Sequence, residues 1–222
     1  MIGRYWRDPC VAHVGRWLAW EGQALAPDRS QAEAFLERLD PEAEKFSFRC
    51  FSDTEYTRLA GYDPLERDLH GSLAHCWDEL RELNRLGAAI SVTINQTTET
   101  GRRATDVRRV RALFLDCDRV SDPANFPVPP HLQVRTSSRH CHYYWFVDGL
   151  DTEQFEPAQR RLAEGLWGDS RVCALNQSMQ LPGFWRRKLA DSPRMTRLLR
   201  LSRRKNYSPL EILPLFAVKV GQ

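Results

Sequence analysis

The sequence contains 222 residues, of which 42% are hydrophobic and 27% are charged, and its formal net charge is +3. This composition is that of a globular protein with a buried core, and the length is that of one domain. The weak positive charge permits a polyanionic partner without identifying one. No stretch contains the ~18 apolar residues that a membrane-spanning helix requires, so we expect no membrane partner.

The six cysteines indicate a cellular compartment rather than a metal site. No two of them have the CxxC spacing of a zinc ribbon, so no zinc is expected. They are scattered within apolar stretches, as buried free thiols are, which favours a reducing compartment. The first 16 residues lack the apolar core of a signal peptide. We therefore predict a cytoplasmic protein.

Hydrophobic periodicity in the first half of the chain predicts helices that alternate with strands. The predicted elements are a helix over residues 30–39 with Ser30 as its N-cap, a strand over 45–51, a helix over 72–86, a strand over 88–95 and a polar loop over 96–105. The helix over 72–86 has the clearest apolar stripe, and Gly87 directly after it is a typical helix stop.

The second half continues the pattern and ends in a basic segment. Its predicted elements are a strand over 107–118, a proline-rich connection over 121–130, strands over 132–136 and 142–147, and a helix over 152–167. No strong linker divides the chain, so we predict one domain over 1–222, with a helical extension at 1–44, a core at 45–190 and a basic segment at 191–222.

An acidic pair follows a strongly apolar strand, in the stretch from Arg111 to Asp118. Residues i and i+2 of a strand point to the same side, so Asp116 and Asp118 project together. Two close carboxylates repel each other, and a divalent cation such as Mg²⁺ or Mn²⁺ relieves that conflict. Polymerases and nucleases use two such ions ~3.5–4 Å apart. The alternative is that Asp118 starts a turn and Asp116 caps a neighbouring group.

A second polar cluster begins the strand after the proline-rich connection. Alternation places His140, His142 and Tyr144 on one side of that strand. A histidine near a metal-bound triphosphate can hydrogen-bond a phosphate oxygen, and Ser137 with the N–H groups of its turn can do the same. The alternative is an aromatic-rich strand whose histidines are ordinary hydrogen-bonding partners.

The pair of histidines around Cys141 also permits a nicking nuclease. Such replication nucleases bind one metal with two histidines on a strand and attack DNA with a tyrosine on a later helix. The only tyrosine that follows Trp145 is Tyr207. Pro209, two residues further on, disfavours a helix at that position.

Arginines dominate the C-terminal part of the core and the segment that follows it. Arg197, Arg200 and Arg204 have helical spacing, and a basic strip of this kind can neutralise DNA phosphates. The residues predicted to contact DNA are Arg186, Arg187, Arg197, Arg200 and Arg204. Trp185 next to them can stack on a base or be buried. The alternative for the strip is a solvated helix face.

Two further arginines, Arg102 and Arg103, lie in the polar loop before the acidic strand. Their position near that strand makes them candidates for contact with a triphosphate or a primer, and the alternative is exposed loop charge. Trp77, Trp145 and Trp167 lie on apolar faces of their predicted elements. We therefore assign these three tryptophans to the core.

The order of these motifs resembles that of the archaeo-eukaryotic primase superfamily, in particular the RepB-like primase domains of plasmids, phages and integrated elements. The shared order is an apolar strand that ends in Asp-Cys-Asp, a Thr-Ser turn leading to a histidine strand, and the segment Gln180-Leu181-Pro182-Gly183-Phe184 before Lys188. The resemblance covers residues 46–188.

The resemblance implies an α+β fold. An RRM-like antiparallel or mixed sheet carries the acids, a smaller N-terminal α/β lobe lies against it, and substrates occupy the groove between them. It assigns Asp116 and Asp118 to two Mg²⁺ or Mn²⁺ ions and His142 to the phosphates of the incoming nucleotide, all three as catalytic residues. Lys188 and Ser137 join the nucleotide-binding set.

The implied activity is template-directed nucleotidyl transfer from nucleoside triphosphates, by a primase or polymerase. The implied partners are a single-stranded DNA template, a primer strand and the triphosphates. A helicase or a primase accessory domain would be on another chain, because the sequence carries no helicase or zinc motif. The residues do not distinguish ribonucleotides from deoxynucleotides.

The third motif departs from the family pattern. Relatives carry an acid, an arginine and then Arg-Leu-Pro-Gly, whereas this chain has Ala174, Gln177 and Gln180 at those places. Either Asp169 supplies a third metal-binding carboxylate from a shifted position, or the site has two. Loss of two arginines weakens triphosphate binding unless Arg171, Arg186, Arg187 or Lys188 compensates. A weakened primase-fold protein that only binds DNA is therefore a second hypothesis.

Overall fold

Two four-stranded antiparallel sheets form the framework of the protein. The computed structural model describes residues 25–53, 62–98, 100–118, 125–188 and 193–216. The greater part of the predicted N-terminal extension, residues 1–24, lies outside this described part, as do residues 121–124 at the start of the predicted proline-rich connection. The α+β class predicted from the sequence is confirmed.

The described part contains four α-helices and twelve strands. The helices are α1 (Arg29–Leu39), α2 (Leu73–Arg85), α3 (Thr152–Gly165) and α4 (Pro209–Ile212). The strands are β1 (Phe46–Ser52), β2 (Arg67–Gly71), β3 (Ala88–Thr93), β4 (Gln96–Thr97), β5 (Val107–Arg109), β6 (Ala112–Cys117), β7 (Leu132–Arg135), β8 (Cys141–Phe146), β9 (Ser178–Gln180), β10 (Trp185–Arg186), β11 (Arg194–Met195) and β12 (Arg197–Leu201). Short 3-10 turns cover Ala104–Asp106 and Leu213–Phe216.

The first sheet has the strand order β2-β1-β3-β9 and is covered by α2. One face of β1 carries Phe48 and Cys50, which are fully buried, and Arg49 between them points to the other face. The side chain of Ser72 accepts the N–H of His75 and caps α2 as a helix N-cap does. Gly87 follows the helix with φ 107°, the left-handed conformation for which glycine is favoured. The predicted helix is thus confirmed.

The second sheet has the strand order β12-β7-β8-β6 and carries the acidic pair. Residues 112–115 of β6 are buried, as the apolar run predicts. Helix α3 packs on β6, and the amide of Gln159 accepts the N–H and donates to the carbonyl of Phe114. This pair of bonds satisfies backbone groups at the free edge of β6.

The two sheets are joined through a buried ion cluster. Asp40, directly after α1, accepts hydrogen bonds of 2.6 Å from Arg109 and from Arg111. The Arg111 guanidinium also lies 5.1 Å from the centre of the Phe46 ring in β1. Arg111 immediately precedes β6, so one side chain connects the first strand of one sheet to the acidic strand of the other.

The basic segment after residue 193 is a strand where the sequence analysis predicted a helix. Residues Arg197–Leu201 form β12, which pairs antiparallel with β7 and contains an irregularity between Leu198 and Arg200. A free β7 edge would leave a row of backbone groups without partners. Pairing along that edge outweighs the helical spacing of the arginines, and Arg197 and Arg200 are exposed on the resulting strand.

The start of α1 and the end of α3 also differ from prediction. Helix α1 has Asp28 rather than Ser30 as its N-cap, because the Asp28 N–H is held by the Gly183 carbonyl at 2.8 Å. Helix α3 ends at Gly165. Trp145 is fully buried and Trp77 is packed against the core. Trp167, which was also assigned to the core, is 67% exposed because it lies beyond the helix end.

Within the residues described, no helix is long and apolar enough to cross a membrane. The five described cysteines are buried free thiols, in agreement with the expectation from their apolar surroundings.

Candidate functional site

A cavity of about 310 Å³ opens between the two sheets. The second sheet contributes Asp116 and His142 to its lining, and the first sheet contributes Arg49 from β1 and residues 178–180 of β9. Arg102, from the loop between β4 and β5, also lines the cavity. The groove between lobes that the sequence analysis expected therefore contains one of the predicted acids and the predicted histidine.

Asp116 is the more enclosed of the two acids. Its side chain is 31% exposed, against 85% for Asp118, which follows the end of β6. Burial raises the pKa of Asp116 above the ordinary value, and the negative charges of Asp118 and Asp169 add to the increase, while His140 and Arg186 oppose it. A carboxylate in this situation is stabilised by any added cation.

His142 is directly opposite Asp116 in the β6–β8 pairing. Burial, together with the positive charges of Arg186 and His140, lowers the pKa of His142 to about 3, so the ring is neutral. The Tyr144 hydroxyl lies 3.3 Å from Nδ1 and Nε2 lies 3.6 Å from an Asp116 oxygen. If the Tyr144 O–H donates to Nδ1, the ring proton is on Nε2 and faces the acid and the cavity.

His140 precedes β8 and is exposed, with Nδ1 2.9 Å from an Asp118 oxygen. It therefore belongs to the rim of the site with Asp118, whereas His142 belongs to the cavity. The predicted common face of His140, His142 and Tyr144 is divided by the start of the strand at Cys141. Sequence alternation does not detect this boundary because it depends on the length of β6 opposite.

Asp169 is brought next to the acidic pair by the backbone. Its N–H donates to the Asp116 carbonyl at 3.0 Å. Its side chain is held by Arg171, with contacts of 2.8 and 2.9 Å, and these bonds lower the pKa of Asp169. Asp169 is thus close enough to raise the pKa of Asp116, but its own carboxylate is already paired with Arg171.

No group of three or more His, Cys, Asp and Glu side chains is arranged as a metal site among the residues that the structure describes. The donors at Asp116 and Asp118 are nevertheless of the type that Mg²⁺ and Mn²⁺ prefer. Magnesium is commonly held by one or two carboxylates, with substrate phosphates and water completing its coordination. The raised pKa of Asp116 and the two acids beside it fit a divalent ion bound together with a substrate.

Two arginines form the positive side of the cavity. The Arg49 Nη2 atom lies 3.3 Å from Glu66, and the Arg102 Nε atom lies 2.9 Å from Asp68, so neighbouring acids on or beside β2 hold both guanidinium groups. Arg102 was predicted to bind a nucleotide, whereas Arg49 was not identified from the sequence. The sequence did contain an indication of its role, because Arg49 is a charged residue on the face of β1 opposite Phe48.

The altered third motif lines the same cavity. Gln177 and Gln180 both contribute to its wall, and Ala174 does not. Their amides occupy positions where the resemblance expects arginine. Positive charge in the cavity comes instead from Arg49, which is two strands from Gln180 in the same sheet, and from Arg102.

The other predicted nucleotide-binding residues are placed less directly. The Ser137 hydroxyl accepts the N–H groups of Arg139 and His140 and thereby closes its own turn. Arg103 is exposed, its N–H donates to Asp106, and it does not line the cavity. Lys188 is exposed at the end of a described segment.

The predicted DNA-binding arginines divide into two that bond Asp53 and three that are exposed. Arg186 and Arg187 form the first group, and Arg197, Arg200 and Arg204 form the second. Arg186 pairs with the buried Asp53 at 2.8 Å and is near enough to lower the pKa of Asp116 and of His142. Arg187 is buried, and its N–H also donates to Asp53, so its side chain is not on an exposed surface. Arg204 contacts the hydroxyl of Tyr207.

The nicking-nuclease alternative is disfavoured by the position of Tyr207. Its backbone pairs with Val147, which follows the far end of β8 from His142. The Tyr207 hydroxyl donates to the Pro129 carbonyl at 3.0 Å. A tyrosine nucleophile at the other end of the strand cannot share a metal site with His142.

The arrangement of two antiparallel sheets around this groove is an archaeo-eukaryotic primase-like fold, as the sequence analysis expected. It matches the archaeo-eukaryotic primase domain of the cyanophage S-2L primase-polymerase with a TM-score of 0.66 and 18% identity, over 86% of this chain and 99% of that one. At this level of identity the likeness establishes the fold.

Two further solved structures have the same likeness. The crystal structure of primase RepB′ matches with a TM-score of 0.58 and 16% identity, over 85% of this chain and 60% of that chain. The catalytic domain of RepB′ in complex with initiator DNA matches with a TM-score of 0.56 and 17% identity, over 86% and 92%. No protein-family model and no curated protein matches the sequence.

Proposed function

We propose that this chain is a primase-polymerase that transfers nucleotides from (d)NTPs to a primer strand on a single-stranded DNA template. The observation that carries the proposal is the charge arrangement of the cavity, with Asp116 on one wall and Arg49 and Arg102 also lining it. A metal-bound triphosphate needs carboxylates for its cations and guanidinium groups for its phosphates. The likeness to a primase-polymerase domain and to primase RepB′ supports the same reading.

Asp116 and Asp118 would hold the Mg²⁺ or Mn²⁺ ions. When bound, such ions lower the pKa of the attacking 3′-hydroxyl and offset charge on the departing pyrophosphate. Asp169, whose N–H already binds the Asp116 backbone, would join them only after release from Arg171. The protein's other contribution is positioning, because phosphoryl transfer requires little covalent chemistry from the enzyme.

Arg49, Arg102 and His142 would hold the triphosphate. The two guanidinium groups make charge-assisted hydrogen bonds, which are the strong ones. His142 contributes a neutral N–H donor, because its pKa of about 3 keeps the ring uncharged at physiological pH. Gln177 and Gln180 add amide groups to the wall. Compared with the family pattern, the third motif would thus offer the phosphates fewer positive charges, and Arg49 would supply one in addition.

The deciding experiment measures incorporation of labelled dNTP and NTP on a primed single-stranded template with Mn²⁺ or Mg²⁺. Wild type should form product, and the double variant Asp116→Ala/Asp118→Ala should form none. Arg49→Gln and Arg102→Gln should each raise KM for the nucleotide by about tenfold, the effect of one charge-assisted contact. Arg103→Gln is the matched control, since Arg103 is in the same loop but does not line the cavity.

A second candidate is a template-binding protein of this fold without catalysis. It is favoured by the pairing of Asp169 with Arg171 and by glutamine at two arginine positions of the third motif. It predicts that wild type and the Asp116→Ala/Asp118→Ala variant bind template equally and that neither forms product. That result would reject the polymerase proposal.

Proposed partners follow from the same reading. The chain would act on DNA, as the complex of the RepB′ catalytic domain with initiator DNA suggests for this fold. A helicase or primase accessory domain would complete a replication system, and a plasmid, phage or integrated element would be its setting.

A further inference from the structure

Trp167 combines two unfavourable features next to the acidic site. Its side chain is 67% exposed, although tryptophan is among the residues that gain most from burial. Its φ of 53° is the only positive value at a residue other than glycine in the described part of the chain. Neither feature contributes to the core, so the residue invites a functional explanation.

The backbone at Trp167 is set by the end of α3. The Leu166 N–H bonds the Leu162 carbonyl at 3.0 Å, and the Gly168 N–H bonds the Ala163 carbonyl at 2.9 Å. The first is the last ordinary bond of the helix, and the second is the 6→1 bond of a Schellman helix end, which goes with a left-handed residue at the position of Trp167. Glycine is the usual residue there because a side chain at that φ is strained.

The glycine of this segment is used one residue later, where the chain touches β6. A Cβ atom on Gly168 would lie 2.1 Å from a Leu115 methyl carbon and 3.2 Å from the Asp116 carbonyl. Asp169 then bonds the Asp116 backbone at 3.0 Å. Trp167 is therefore attached rigidly beside the strand that carries the metal-binding acids, with its indole in solvent.

Positive charge accompanies the exposed ring. The Arg171 side chain, four residues after Trp167 in the same short segment, is 89% exposed and pairs with Asp169 at 2.8 Å, so a DNA phosphate would compete with that carboxylate. An exposed aromatic ring and an exposed arginine in one segment are the kinds of group with which proteins hold single-stranded nucleic acid, the ring under a base and the guanidinium on a phosphate.

We propose that Trp167 is a stacking platform for a base of the single-stranded DNA that enters the site, with Arg171 on an adjacent phosphate. The inference rests on the proposed function for the identity of the strand. It adds a nucleic-acid contact at the end of α3, a part of the fold outside the cavity. This role explains the left-handed backbone at Trp167. That conformation directs the ring into solvent while Gly168 packs against Leu115.

The experiment measures binding of a fluorescently labelled oligodeoxynucleotide by anisotropy, in EDTA and without nucleotide. Trp167→Leu should weaken binding by about tenfold, the effect of one stacked base, and Trp167→Phe should retain most of the affinity. Trp167→Gly should weaken binding as much as Trp167→Leu while raising Tm, because glycine relieves the left-handed strain. Unchanged DNA affinity in Trp167→Leu would overturn the proposal.

The same measurement in an Asp116→Ala/Asp118→Ala background separates this inference from the proposed function. A Trp167 effect that persists there supports the platform even if no variant forms product. An effect confined to KM for the free nucleotide, with DNA affinity unchanged, would overturn it, since the ring would then face the nucleotide. A Trp167→Gly variant with lowered Tm would also overturn it, because the ring would then be part of the core.

Discussion

The charged form of Asp116 lowers the stability of the fold, although the proposed activity requires it to bind metal. Burial and the neighbouring acids Asp118 and Asp169 raise its pKa, so the folded protein disfavours the charged form. A charge that is unfavourable without a cation is typical of a site built to hold one. The neutral His142 opposite it, with a pKa of about 3, adds a donor without adding charge.

Replacement of Asp116 by asparagine should raise Tm at neutral pH and abolish incorporation. Because the folded-state pKa is raised, the unfolded chain releases the proton first, and stability falls as pH rises from the ordinary carboxyl range of about 4 through the folded pKa. Thermal unfolding in EDTA across pH should therefore show the largest gain for Asp116→Asn above that window and no gain below pH ~4. An Asp118→Asn control, at a side chain that is 85% exposed, should change Tm less. A fall in Tm for Asp116→Asn at neutral pH would contradict the sign.

Among elements, the turn at Gly183 matters because it positions α1. The Gly183 carbonyl accepts the Asp28 N–H, and the Gly183 N–H donates to the Thr196 carbonyl, both at 2.8 Å. This turn therefore joins the N-terminus of α1 to the residue between β11 and β12. The Leu-Pro-Gly segment of the third motif therefore holds α1 in place.

Gly183→Ala should destabilise the protein by more than about 1 kcal/mol, because alanine is strained at positive φ and its Cβ has no room. The φ of Gly183 is 89°, and a Cβ would lie 2.1 Å from the Asp28 carbonyl oxygen. Gly149→Ala is the matched control, since φ there is 79° and a Cβ would meet nothing within 4 Å. Urea unfolding should show a clearly larger loss for Gly183→Ala, and equal losses would show that the contact with Asp28 is unimportant.

For the whole molecule, the relation of the two sheets decides whether the cavity exists. Arg111 is 3% exposed, pairs with Asp40 and packs on Phe46 of β1. Burial lowers the pKa of Arg111, and Asp40 opposes that effect. The buried charge of Arg111 is therefore stabilised only while Asp40 is present, and the junction of the sheets depends on this pair.

Asp40→Ala should destabilise the fold by about 3–5 kcal/mol, because it leaves the Arg111 charge buried without its carboxylate. The double variant Asp40→Ala/Arg111→Met should recover a large part of that loss, since an apolar side chain of similar size replaces the pair. Equilibrium unfolding of the single and double variants measures this coupling. A double variant less stable than Asp40→Ala would show that Arg111 stabilises the junction through Phe46 rather than through Asp40.

Much of the fold and part of the site followed from local pattern. The apolar run before Asp116, the stripe of α2 and the strand that contains His142 have hydrophobic periodicities that predicted their elements correctly. They predicted the acidic strand, and the order of the motifs gave the resemblance to primases, which in turn implied the α+β class.

Tertiary structure decided the features that depend on a neighbour distant in sequence. The arginines at 197 and 200 form β12 because β7 offers an open edge, and helical spacing carries no information about that edge. Trp167 is exposed because it lies beyond the end of α3, just before Gly168 packs on Leu115. Arg49 and Asp116 line one cavity only because the two sheets that carry them lie against each other. Periodicity reports which side of an element is polar, whereas only the packing of one sheet against another determines what that side meets.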